Sequence, residues 1–198
     1  MITMKTIKIS ILSLIALIGL NSCSSDDDST PEIINEEEVI TTVEVVLTPT
    51  TGDVVTLKSI DLDGDGPNAP VLSVSGPLQA GMLYNGAITL QNETVSPAEL
   101  INEEIEEESD EHQFFYQFSS NLDASVTYTD TENDYLSNGS TNPVGLTFSL
   151  QANAVASGSF TVTLIHEPNK DASGVAEGTL TNAGGERDVE QTFSITVE

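Results

Sequence analysis

Two histidines are all this chain has, and each stands beside a glutamate: Glu111-His112 and His166-Glu167. Imidazole and carboxylate together are the ligand types of zinc, copper and iron sites. His112 shares an every-second-residue phase with Phe114, Tyr116 and Phe118 and opens its segment. His166 shares phase with Phe160, Val162 and Leu164 and closes its own. If the two segments run antiparallel, both rings fall at one end of the fold. The pair then reads as a transition-metal site, with Glu111 and Glu167 as further ligands or outer partners. The other reading is a pair of histidines capping strand ends through ordinary hydrogen bonds.

A second constellation is Asp61-Leu62-Asp63-Gly64-Asp65-Gly66. Carboxylates at alternate positions with a turn-permitting glycine match the first half of a calcium loop. The twelfth position, where a bidentate glutamate belongs, is Leu72, and no helical pattern flanks the loop, so an EF-hand is excluded. Asp61, Asp63 and Asp65 either hold calcium weakly with help from carbonyls or a distant carboxylate, or form a polar turn between strands, since Asp-Gly is a common turn pair.

Catalytic chemistry finds no footing. The sequence contains no G-x-S-x-G, no H-E-x-x-H and no phosphate-binding glycine loop,. Acidic pairs are so frequent that none is singled out as a glycosidase pair. The reading is not an enzyme.

The elements that must position these groups are short and mostly extended. Runs such as Thr42–Leu47, Val54–Ile60, Val71–Val74, Ala87–Leu90, Ala124–Tyr128, Leu146–Leu150, Phe160–Leu164 and Phe193–Val197 alternate apolar with polar residues between Gly, Pro, Asn and Asp turns. Such a period-two pattern puts one face on a core and one in water. Many short strands of this kind predict an all-β, antiparallel immunoglobulin-like β-sandwich over residues 39–198. One short acidic helix is expected near 97–109. Ser96-Pro97-Ala98-Glu99 reads as its capping box, and Ala98, Ile101 and Ile105 give it one apolar stripe. The seven acids between Glu103 and Glu111 repel one another, and those at the helix C-terminal end oppose the dipole,. A bound cation would relieve both.

Charge points the same way. The chain carries 32 acidic and 5 basic residues, for a formal net charge of −27. Nucleic acid and anionic lipid headgroups are poor partners for that sign, and cations are favoured. Surface acidity also keeps an exported protein soluble.

The N-terminus supplies an address. Lys5 and Lys8 precede the apolar run Ile9–Leu20, which ends at Leu20-Asn21-Ser22-Cys23. A basic start, a short apolar core and small residues make a secretory signal. The run is shorter than the about 20 residues needed to cross roughly 30 Å of hydrocarbon. Cys23 is the single cysteine, so no internal disulfide can form,. Leu20, Ser22 and Cys23 resemble the lipobox of bacterial lipoproteins, with Asn21 a departure at its most tolerant position. Ser24-Ser25-Asp26-Asp27-Asp28 is similar to the acidic export signal of Bacteroidota surface lipoproteins. The resemblance implies residues 1–22 as a signal peptide, lipidation of Cys23, and an outer-membrane, cell-surface location. Residues 23–38 then read as the lipidated Cys with a disordered acidic tether. Glu111-His112-Gln113-Phe114-Phe115 and His166-Glu167-Pro168-Asn169-Lys170 also resemble a family of small acidic flavobacterial lipoproteins. That family brings no established activity. A type 1 periplasmic-binding fold is excluded, because it needs repeated βαβ units.

Together these readings predict a lipid-anchored, non-enzymatic binding module for a cation or small ligand, serving an outer-membrane transporter as its partner. Calcium, zinc and copper are the candidate ions. The alternative is a structural or adhesive sandwich in which calcium only braces the Asp61–Asp65 loop.

Overall fold

A computed structural model describes residues 38–64 and 66–198. The expected signal peptide, Cys23, the expected tether up to residue 37 and Asp65 lie outside the described residues. In chain order the elements are β1 (Thr42–Pro49), β2 (Val55–Ile60), β3 (Val71–Val74), β4 (Leu83–Asn92), β5 (Glu99–Leu100), α1 (Asn102–Glu107), β6 (His112–Phe118), β7 (Ala124–Tyr128), α2 (Glu132–Leu136), β8 (Thr147–Ala152), β9 (Ala156–His166) and β10 (Glu186–Val197).

The fold is an antiparallel β-sandwich. One sheet runs β3-β2-β1-β4-β8-β7, with β5 paired to β4; the other runs β10-β9-β6. Alternation decides which side chains meet between them. Val43, Val45 and Leu47 of β1 and Phe148 and Leu150 of β8 are buried from one side. Phe160, Val162 and Leu164 of β9, with Phe193, Ile195 and Val197 of β10, are buried from the other, and all belong to one core. On the outer face of the larger sheet, Glu44 and Lys58 face each other across β1 and β2 at 3.4 Å. Gly86 of β4 sits opposite Phe148, and a Cβ there would collide with that ring.

The helical expectation needs correcting in two places. Glu99 does not enter a helix: with Leu100 it forms β5 and pairs with Asn92 and Gln91 of β4. Helix α1 starts later, with no side-chain cap. Its first residue, Asn102, instead bridges to the edge of β4, accepting from Leu90 N at 2.7 Å and donating to Ile88 O at 2.9 Å. Satisfying that exposed sheet edge outweighed the local capping pattern. Ile101 and Ile105 are buried on the core, as their spacing requires. The second helix, α2, carries the true capping box, Thr131 with Asp134.

The smaller sheet has a second cover. The segment 167–184 lies over its outer face, where Phe115, Ile165, Val175 and Ala183 form a separate buried cluster. Lys170 fastens it. Its Nζ reaches Glu132 Oε1 at 2.9 Å and donates to Ser109 O at 2.6 Å, with both charged side chains buried. Burial lowers the Lys170 pKa, and the Glu132 hydrogen bond and charge pull it back only in part.

Candidate functional site

Strand register creates the site. β6 and β9 pair antiparallel with His112 directly opposite His166. The rings stack at 4.7 Å between centroids and 10° between planes. Both are buried, at 0% and 4% exposure. The two segments therefore bring the histidines to one end of the sandwich, side by side. A ring nitrogen's lone pair lies in the ring plane, so two nearly parallel stacked rings do not aim at one ion. The rings still share one acidic neighbour: an oxygen of Glu108 and one nitrogen of each ring fall within 4.8 Å of one another.

His112 has the richer set. Its Nδ1 lies 3.1 Å from the Glu108 carbonyl oxygen. Its Nε2 lies 3.2 Å from Glu38 Oε1 and 4.0 Å from Asp188 Oδ2. All of these neighbours are acceptors, so without a cation the ring needs both of its N–H groups to satisfy the two closest. Burial opposes charging the ring. The hydrogen bonds to Glu38 and the Glu108 carbonyl, with the charges of Glu38 and Asp188, outweigh it and raise its pKa above the ordinary value. The same hydrogen bond lowers the Glu38 pKa against the pull of burial.

Asp188 is the anomaly. Between Arg187 and Val189 the β10–β9 ladder slips by one residue, so Asp188 has no partner on β9. A bulge of this kind re-aims a side chain. Here the carboxylate turns towards His112, its side chain only 7% exposed, and its Oδ2 is buried with no hydrogen bond. Burial first, then the charge of Glu38, pushes its pKa up to about 6, although both histidines pull downward. Glu104 on α1 is also raised, by burial and then by Glu38 and Glu108.

His166 is served by its neighbours Glu111 and Glu167. Glu111 Oε2 lies 3.6 Å from its Nε2. One oxygen from each glutamate and one ring nitrogen fall within 4.8 Å of one another. Both glutamates are exposed, and Glu167 N donates to Glu111 O across the loop at 2.6 Å.

The aspartate loop behaves differently. Asp63 Oδ2 accepts from Asn68 Nδ2 at 2.7 Å and from Asn68 N at 3.3 Å, so it caps its own turn. Asp61 Oδ1 is buried and unpaired. Among the described residues, no cluster of three metal-ligating groups includes Asp61 or Asp63. The loop nevertheless opens on a cleft of about 440 Å³ whose wall also carries Glu38, Asp188 and Glu190. The cleft thus joins the aspartate loop to Glu38 and Asp188, the two carboxylates beside His112.

No family model matches the chain, and comparison with curated proteins and with solved structures finds no match. No described helix is long and apolar enough to cross a membrane. The site must be read from its own chemistry. Sequence reasoning missed Glu38, which it placed at the end of the tether, and Asp188, which it did not single out. The one local signal was the charged run Glu186-Arg187-Asp188 leading directly into the apolar phase of β10.

Proposed function

We propose that this chain is a non-enzymatic cation-binding module, lipid-anchored through Cys23 at the outer membrane and displayed at the cell surface. The observation that carries the binding reading is Asp188 Oδ2, a buried carboxylate oxygen without a hydrogen bond at the wall of an acidic cleft. Among the described residues, Glu38, Asp61, Asp63, Asp188 and Glu190 bring their carboxylates to that cleft. A buried carboxylate oxygen without a hydrogen bond costs folding free energy, which a bound cation would offset. The net charge of −27 draws cations towards the cleft and repels anions,. An accessory role beside an outer-membrane transporter suits a module that collects a charged nutrient. The anchor rests on the Leu20–Cys23 lipobox and the acidic triplet after it.

Calorimetric titration of the purified chain with calcium, magnesium, zinc and copper tests the binding reading. Saturable binding of at least one of these ions at near-physiological salt is the expected result. Heats that vanish at that salt for all four ions would reduce the acidity to a solubility device. The anchor has its own test: Cys23→Ala moves the protein out of the membrane fraction or leaves it as unprocessed precursor, and unmodified Cys23 in the membrane-bound protein would refute it.

A further inference from the structure

We infer that Glu38, His112 and Asp188 form a three-ligand site for a divalent transition metal of the zinc class, with its fourth position open to the acidic cleft. The inference rests on the cation-binding reading above and names the ion class and the ligands.

Geometry comes first. Around a tetrahedral ion with bonds of about 2.0–2.2 Å, neighbouring ligand atoms lie roughly 3.3–3.5 Å apart. His112 Nε2 and Glu38 Oε1 already stand at 3.2 Å. Asp188 Oδ2 stands 4.0 Å from the same nitrogen, and one ligand atom from each of the three residues falls within 4.8 Å of the others. To reach that spacing Asp188 Oδ2 has to draw in by roughly 0.5 Å towards the His112 nitrogen,. The ligands come from three places in the chain: the segment before β1, the first residue of β6, and the bulge of β10.

The chemistry of the set then chooses among ions. Two carboxylates neutralise a divalent charge in a buried setting. An imidazole nitrogen in the first coordination sphere favours zinc, copper or iron over calcium and magnesium, which take six or more oxygens. The other ring nitrogen of His112 faces the Glu108 carbonyl oxygen at 3.1 Å. Metal-bound histidines characteristically donate their second N–H to such a partner, which fixes the ring and leaves Nε2 as the ligand. His166, stacked flat on His112, holds the ring plane without being a ligand. The buried Oδ2 of Asp188, unpaired and facing His112, is what an ordinary hydrogen-bonded histidine cap would not need.

The test is calorimetric titration of the purified chain with zinc chloride and, in parallel, with calcium chloride. The parent is compared with His112→Ala, Glu38→Gln, Asp188→Asn and the cleft control Asp63→Asn. Thermal denaturation in chelator confirms that each variant is folded, and Asp188→Asn is the nearly isosteric substitution if another is not. The parent should bind one zinc. Each of the three ligand variants should lose more than the roughly 10–100-fold that outer-partner changes cost, and Asp63→Asn should lose little. Zinc affinity unchanged in folded His112→Ala or Asp188→Asn would overturn the inference, placing zinc elsewhere on the acidic surface. A folded parent that binds calcium but no zinc would overturn it as well while leaving the wider cation-binding reading standing. Failure to bind either ion would overturn it too, and the wider reading would then stand or fall on magnesium and copper.

Discussion

Replacing Asp188 by asparagine should stabilise the metal-free protein at pH 8, and the gain should disappear in acid. The carboxylate's ordinary pKa is 3.8 and the fold pushes it up to about 6. A raised acid favours the folded state only when protonated. Its cost is therefore small below about pH 4, grows as pH rises from 3.8 towards 6, and is constant above. A shift of about two units at about 1.36 kcal/mol per unit amounts to roughly 3 kcal/mol at pH 8. At pH 4 the same two pKa values leave a cost of about 0.5 kcal/mol, so the gap between variant and parent should widen by about 2 kcal/mol across that range. For a domain of this size, 1 kcal/mol moves the melting temperature by about 2–4 °C. The assay is thermal and urea denaturation in chelator at pH 4 and pH 8. Asparagine keeps the shape and can donate to Glu38, so packing is nearly constant. A variant no more stable than its parent at pH 8, or a gap that does not change with pH, would refute the account of Asp188 as a charge held against its preference. With saturating zinc the order should reverse, because a ligand stabilises only the form that binds it.

Three further outcomes follow from other parts of the molecule. The His112–Glu38 contact contributes most between about pH 4.5 and 6.5. The raised histidine loses its contribution as pH rises through its folded value above 6.5, and the lowered glutamate loses its own as pH falls below 4.5,. Glu38→Gln should therefore cost about 1.5–3 kcal/mol near pH 5.5, as a charged hydrogen bond does, and much less at pH 8.5, by urea denaturation in chelator. Glu132→Gln strands the buried Lys170 charge and should cost about 3–5 kcal/mol, read as a lower melting temperature together with earlier proteolysis within 167–184. Gly86→Ala drives a methyl into Phe148 and should cost about 1–3 kcal/mol from overpacking, with the far-ultraviolet spectrum still that of a β-protein.

Most of the framework was legible in the sequence because strands buried on one face write their period directly into it. The eight extended runs all fall within or largely overlap observed strands, and the shared phase and opposite chain positions of His112 and His166 anticipated their meeting. What escaped depends on contacts between distant segments. Glu99 obeyed the open edge of β4 rather than a local capping pattern. The short α2 carries no apolar period long enough to announce it. Phe115 and Ile165 looked solvent-facing by alternation, but a long loop returns to cover them. Glu38 and Asp188 are ordinary acids in an acidic chain, and only the pairing slip and the approach of the β1 leading segment set them against His112.

The pairing slip at Asp188 has an evolutionary consequence. Arg187 and Val189 already pair with consecutive residues, Ile165 and Leu164. Removing the single codon for Asp188 would leave a continuous ladder with every other pair unchanged. The third candidate ligand is thus a one-residue insertion that the sandwich can do without. A lineage could acquire or discard it in one genetic event, and the strand would be more regular for losing it. Its retention or loss among related sequences would register selection on the cleft almost free of selection on the fold.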